Sequence, residues 1–90
     1  MSQPDLIKLI LGKIEEKKQF ERFVFLFQHI VSDSSLAKIT NGSRSDVIAH
    51  FSRLLSLIEC ELKTLKNAVQ DDLHLLLIDK LLAEPTIIHD

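Results

Sequence analysis

Hydrophobic residues recur along most of this chain every three or four positions, the spacing that gathers them on one face of an α-helix. Leu6, Ile7, Leu9, Ile10, Leu11 and Ile14 follow Ser2 and Pro4, and proline is tolerated in a first helical turn, so the pattern predicts a helix over about residues 4–18. Gly12 inside it costs up to about 1 kcal/mol relative to alanine. Glu15, Glu16, Lys17 and Lys18 make a solvated end. From Phe20 to Val31 two periods compete. Phe23, Phe25 and Phe27 alternate as in a strand, whereas Phe20, Phe23, Val24, Phe27, Ile30 and Val31 keep helical spacing, and the helix fits the longer span. In either state this segment holds four of the five phenylalanines and has to supply much of the core.

Ser32 to Ser35 is polar and predicts a loop, Leu36 to Ile39 one helical turn, and Asn41-Gly42 a turn, since both residues tolerate positive φ. A helix start follows. Ser43 with Asp46 three residues on has capping-box spacing, and Val47, Ile48, Phe51, Leu54, Leu55 and Ile58 continue with period 3.6. Beyond Glu59 the pattern forks. Leu62, Leu65, Val69, Leu73 and Leu76 stay in phase with Val47, Phe51, Leu54 and Ile58, which predicts one long helix. The possible turn at Asn67 and the alternation Leu73-His74-Leu75 allow a short β-hairpin instead. Leu75 to Leu82 is strongly apolar, Pro85 ends whatever precedes it, and the tail to Asp90 is expected to fray. The predicted core is Phe20, Phe23, Phe27, Val47, Phe51, Leu54 and Ile58.

Ninety residues fill one core, so residues 1–90 are expected to form a single domain. The lone Cys60 cannot make an internal disulfide and is expected to be a small core residue in a reducing compartment. No apolar run reaches the ~20 residues of a membrane span, and no basic segment leads into an apolar signal core, so a cytoplasmic protein is expected. The formal charge of −2 is unevenly spread: residues 43–90 carry five Lys/Arg against eight Asp/Glu. Phosphate neutralisation supplies most nucleic-acid affinity, so this field favours a protein partner.

Little in the chain points to catalysis. His29, His50, His74 and His89 share no metal-ligand spacing, and there is no Gly-rich phosphate loop or nucleophile elbow. Ser43, Ser45, Asp46 and His50 are close in sequence but are expected to be a helix cap and a polar helix face; Asp71-Asp72 is expected on a surface turn. The chain is therefore expected to be no enzyme and to need no cofactor or metal. The surplus of apolar positions from Val47 to Ile58 is wider than a one-sided helix needs, which predicts an exposed docking strip including Leu55 or a neighbour.

Leu36-Ala37, the turn at Asn41-Gly42 and the helix opening Ser-Arg-Ser-Asp-Val have the order of a helix-turn-helix, although Arg44 and Arg53 are offset by Asp46 and Glu59. The stretch SRSDVIAHFSRLLSLIE (Ser43 to Glu59) resembles the recognition-helix region of the C-terminal winged-helix domain of bacterial kleisins, the segregation and condensation protein A family. Ala68 to Leu76 is similar to that family's hairpin and following strand, and Ile10 to Ile14 with FERFVFLF (Phe20 to Phe27) to its first helix and Phe-x-x-Leu-Phe segment. The resemblance implies a mainly α, small α+β winged helix with a β-wing within residues 60–78. An all-α bundle with one long C-terminal helix is the alternative fold. It further implies docking on the ATPase head of a structural-maintenance-of-chromosomes (SMC) protein, in chromosome condensation and segregation, with the chain on the nucleoid through that partner. Val47, Phe51, Leu54, Leu55 and Ile58, with Gln70 of the hairpin, are then the partner-binding candidates. A winged-helix DNA-binding regulator and an all-α adaptor or chaperone-like bundle remain open as other functions.

Overall fold

A computed structural model of the chain describes residues 2–86; Met1 and residues 87–90, with the tail expected to fray, lie outside the described residues. The chain is mainly helical. Among the described residues four α-helices run in the order α1 (Gln3–Phe25), α2 (Asp33–Ile39), α3 (Arg44–Lys66) and α4 (Asp72–Ala83), and α1 closes with one π-helical turn, Leu26–Ile30.

The two separate segments expected over 4–18 and 20–31 are one continuous helix. Ser2 caps it, its hydroxyl oxygen accepting from the Asp5 N–H at 3.3 Å. The charged run expected to be an end stays helical, and the Lys17–Glu21 pair, one helical turn apart at 2.6 Å, supports it there. Over Leu26–Ile30 the backbone widens, and the Val31 N–H donates to the Leu26 carbonyl, five residues back, at 2.8 Å. Ser32, expected inside a loop, caps α2 by accepting from the Ser35 N–H at 3.2 Å. The Asn41-Gly42 turn is present but uses no left-handed residue; the Gly42 N–H instead donates to Thr40 Oγ1 at 3.1 Å. Ser43 caps α3 as its spacing predicts, accepting from the Asp46 N–H at 3.2 Å.

The largest correction falls on residues 60–78. Among the described residues there is no strand, so the β-wing is not formed, and the single long helix is not formed either: α3 ends at Lys66 and α4 begins at Asp72. The helical period prevails over the alternation because Ile58 and Leu62 share one buried face of α3, and Leu75, Ile78 and Leu82 share one face of α4. The break comes from Asp71, whose carboxylate caps α4 by accepting the Leu73 N–H at 2.8 Å, and from Val69, which is buried inside the turn. Gln3 ties this turn to the start of α1. Its amide donates to the Ala68 carbonyl at 3.4 Å and accepts from the Gln70 N–H at 3.3 Å.

α3 runs antiparallel to α1, joined by Lys13–Glu61 at 2.7 Å, and α4 returns parallel to α1, joined by Lys18–Glu84 at 4.0 Å and Thr86–Glu21 at 2.9 Å. A Lys66–Asp79 ion pair links α3 to α4. The result is an up-down-up arrangement of three helices at one end and a thinner two-helix layer with α2 at the other, with extents of 49 × 22 × 16 Å. The core sits in the three-helix end and consists of Leu6, Ile10, Ile14, Ile58, Leu62, Val69 and Ile78. Only Ile58 of the predicted core is fully enclosed; Phe20, Phe27, Val47, Phe51 and Leu54 are half-buried and Phe23 is 38% exposed. Cys60, expected inside, is exposed.

Candidate protein-docking surface

The predicted partner-binding residues are not brought together on one surface. Phe51 is the hub of an aromatic cluster in the thin end, its ring centroid 5.9 Å from Phe20, 5.3 Å from Phe23 and 5.9 Å from Phe27, with His50 edge-on at 5.5 Å. Val47, Leu54 and Leu55 are half-buried on the same helix, and Ile58 is in the core. Gln70 is exposed in the α3–α4 turn, beyond the far end of α3 and about 22 Å of helix from Phe51 at 1.5 Å per residue. The surplus apolar residue that α3 does expose is Leu57, at 59%.

Arg44 holds the thin end together. Its guanidinium donates to the Phe27 carbonyl, in the π-helical turn, and pairs with Asp33 at 2.7 Å, so one side chain joins α1, α2 and the start of α3. A helix-turn-helix reader would need this arginine directed at a nucleic-acid backbone or base; here it serves the fold.

The most apolar exposed surface lies on α4, which the sequence pattern did not single out. Its sequence is apolar nearly all round, and such a helix is expected to be covered on more than one side. Leu75, Ile78, Leu81 and Leu82 pack inward, while Leu73, Leu76 and Leu77 are 60%, 54% and 49% exposed. These three follow i, i+3, i+4 spacing and form a stripe. Beside it, Leu11 of α1 is 42% exposed, and Ile7, Leu11, Leu77 and Leu81 line a shallow groove of ≈ 360 Å³ between α1 and α4. His74 flanks the groove; its Nδ1 has no hydrogen-bond partner among the described residues and lies 3.9 Å from Asp71, a contact that attracts only when the imidazole is protonated.

Two other grooves are less suited to a partner. The α1–α3 groove of ≈ 370 Å³ exposes Leu9 and Leu57 but is crossed by the Lys13–Glu61 pair, whose hydrogen bond is the main reason the Lys13 pKa lies above its ordinary value. The ≈ 450 Å³ groove among α1, α3 and α4 presents Lys17, Lys63 and Lys66, a set that would attract an anion. Lys17 and Lys66 are already paired, with Glu21 and Asp79, and Glu59 lines the same groove. Burial works against the Glu21 carboxylate, but hydrogen bonds from Lys17 and Thr86 outweigh it and hold its pKa below the ordinary value.

Among the described residues no group of His, Cys, Asp or Glu could hold a metal ion, and no helix is long and apolar enough to cross a membrane. Ser43 and Asp71 are helix caps, which accounts for two of the candidate catalytic side chains structurally. No family model matches the chain, and no curated protein or solved structure does.

Proposed function

We propose that this chain is a non-catalytic helical module that works by binding a protein. The observation that supports it is the stripe Leu73, Leu76 and Leu77 with the adjoining Leu11, four leucines between 42% and 60% exposed on α4 and α1. Contiguous apolar surface is retained at the cost of solubility where a partner covers it. A few anchors in the desolvated centre of an interface carry most of its binding energy.

A narrower reading makes the partner the ATPase head of an SMC protein, at the nucleoid, in chromosome condensation and segregation. It draws support from the Ser43–Glu59 stretch, whose residues all lie on α3 or its cap and follow a short helix and a turn, and from Leu57, the exposed apolar residue of that stretch. That residues 60–78 hold two helices and a turn, and no strand, counts against the winged-helix form of this reading and favours an all-α adaptor.

Site-specific photo-cross-linking in the protein's own cells separates these readings. A cross-linking side chain at position 76 is expected to give a discrete protein adduct. One at position 57 gives an adduct with the ATPase head if the narrower reading holds. Absence of any protein adduct from both positions would overturn the assignment as a protein-binding module.

A further inference from the structure

Asp79 and Glu84 pair with Lys66 and Lys18, and the charges bordering the α4 stripe that remain are arranged antisymmetrically. Asp72 and Lys80 lie four residues to either side of Leu76, and positions 72, 76 and 80 fall in one column of the helix, about 6 Å apart at 1.5 Å per residue. Both charged residues are exposed, and neither forms an ion pair within the chain among the described residues. They are too far apart along the helix to meet each other. A surface that runs negative, apolar, positive about a central leucine is complementary to itself after a half-turn rotation and repels itself in a parallel alignment.

Resting on the protein-binding reading, we infer that the partner of the α4 stripe is a second copy of this chain. The two α4 helices pack antiparallel about a two-fold axis at Leu76. Leu73 and Leu77 of each copy flank that axis, Leu11 borders the contact, and Asp72 of one copy meets Lys80 of the other at both ends. The antiparallel alignment also sets the opposite helix dipoles side by side.

Sedimentation equilibrium of the purified full chain tests this, with circular dichroism confirming that each variant folds. The native chain is expected to show twice the monomer mass, and Leu76→Arg to weaken association about thirtyfold or more, as truncation of an interface anchor does. Asp72→Lys and Lys80→Asp should each weaken association, and the double variant should recover it, because only a contact between copies restores both pairs. A native chain that stays monomeric at about 100 µM, far above the dissociation constants of stable dimers, would overturn the inference. So would a dimer indifferent to Leu76→Arg, or a double charge swap no better than the single variants. If the native chain is monomeric while position 76 cross-links to a different protein in cells, self-association falls and the protein-binding reading stands. With no cross-link either, both fall.

Discussion

Replacing Ile10 by alanine is expected to destabilise the protein more than any other single truncation of an aliphatic side chain. Among the described residues Ile10 is the one fully buried large side chain, at 0% exposure, with Leu6 and Ile14 one helical turn to either side and α3 and α4 packed over the same face of α1. Truncations of this kind cost about 2–5 kcal/mol, the upper part of the range applying where the surroundings cannot collapse into the space. Three helices meet over this position and their ends are tied by ion pairs, so collapse is restricted. A loss of about 4 kcal/mol lowers Tm by roughly 20 °C in a domain of this size. Thermal melts at fixed protein concentration check this; a fall under about 5 °C, little more than 1 kcal/mol, would place the core elsewhere.

Phe51→Ala is the second large effect, and it reports on the other end of the molecule. Three phenylalanine rings lie within 5.9 Å of Phe51, and no other described side chain contacts so many rings. Truncating a buried aromatic ring, with loss of its tilted and stacked contacts, costs about 3–5 kcal/mol in a closed core. Phe51 is only half-buried, so a loss of about 3 kcal/mol, the bottom of that range, is expected. Phe51→Leu should recover most of it by refilling the space without the ring geometry. A leucine variant as unstable as the alanine one would mean that ring contacts, not filled volume, hold the thin end together.

Local signals in the sequence located the starts of α1 and α3 and missed those of α2 and α4. Ser43 caps α3 at the position its spacing predicts, because the Ser-x-x-Asp arrangement satisfies backbone N–H groups without help from distant residues. Ser32 and Asp71 are caps of the same kind, read as loop and surface turn because each precedes a helix too short or too apolar to show a clear period. The end of α3 showed in the sequence only as a possible turn at Asn67, which keeps right-handed helical backbone, and the turn that follows is tied down by Gln3, more than sixty residues away, bonding to Ala68 and Gln70.

The candidate site shows the same division. Excess apolar residues on α3 correctly implied exposure, but which residue is exposed depends on where α1 lies, and it is Leu57 rather than Leu55. Phe20, Phe23 and Phe27 looked like the core by size, yet only Phe20 packs against the core cluster, and Phe23 and Phe27 sit beyond it in the two-helix layer, because α4 ends level with Lys18. The α4 stripe was hidden by its own composition. An all-round apolar helix has no periodic signal, and only the packing of Ile78 and its neighbours against α1 shows which leucines are left over.

Everything proposed for the surface depends on α4 turning back beside α1, since only then do Leu73, Leu76 and Leu77 adjoin Leu11. Backbone chemical shifts with amide hydrogen exchange across residues 60–83 test this fold-back most directly. The account predicts helical shifts to Lys66, a break over 67–71 with the Gln70 N–H protected by Gln3, and helical shifts again from Asp72 to Ala83. Strand shifts within 60–78 would restore the β-wing, and helical shifts running unbroken through 67–71 would remove the turn; either result would contradict the surface from which the function is inferred.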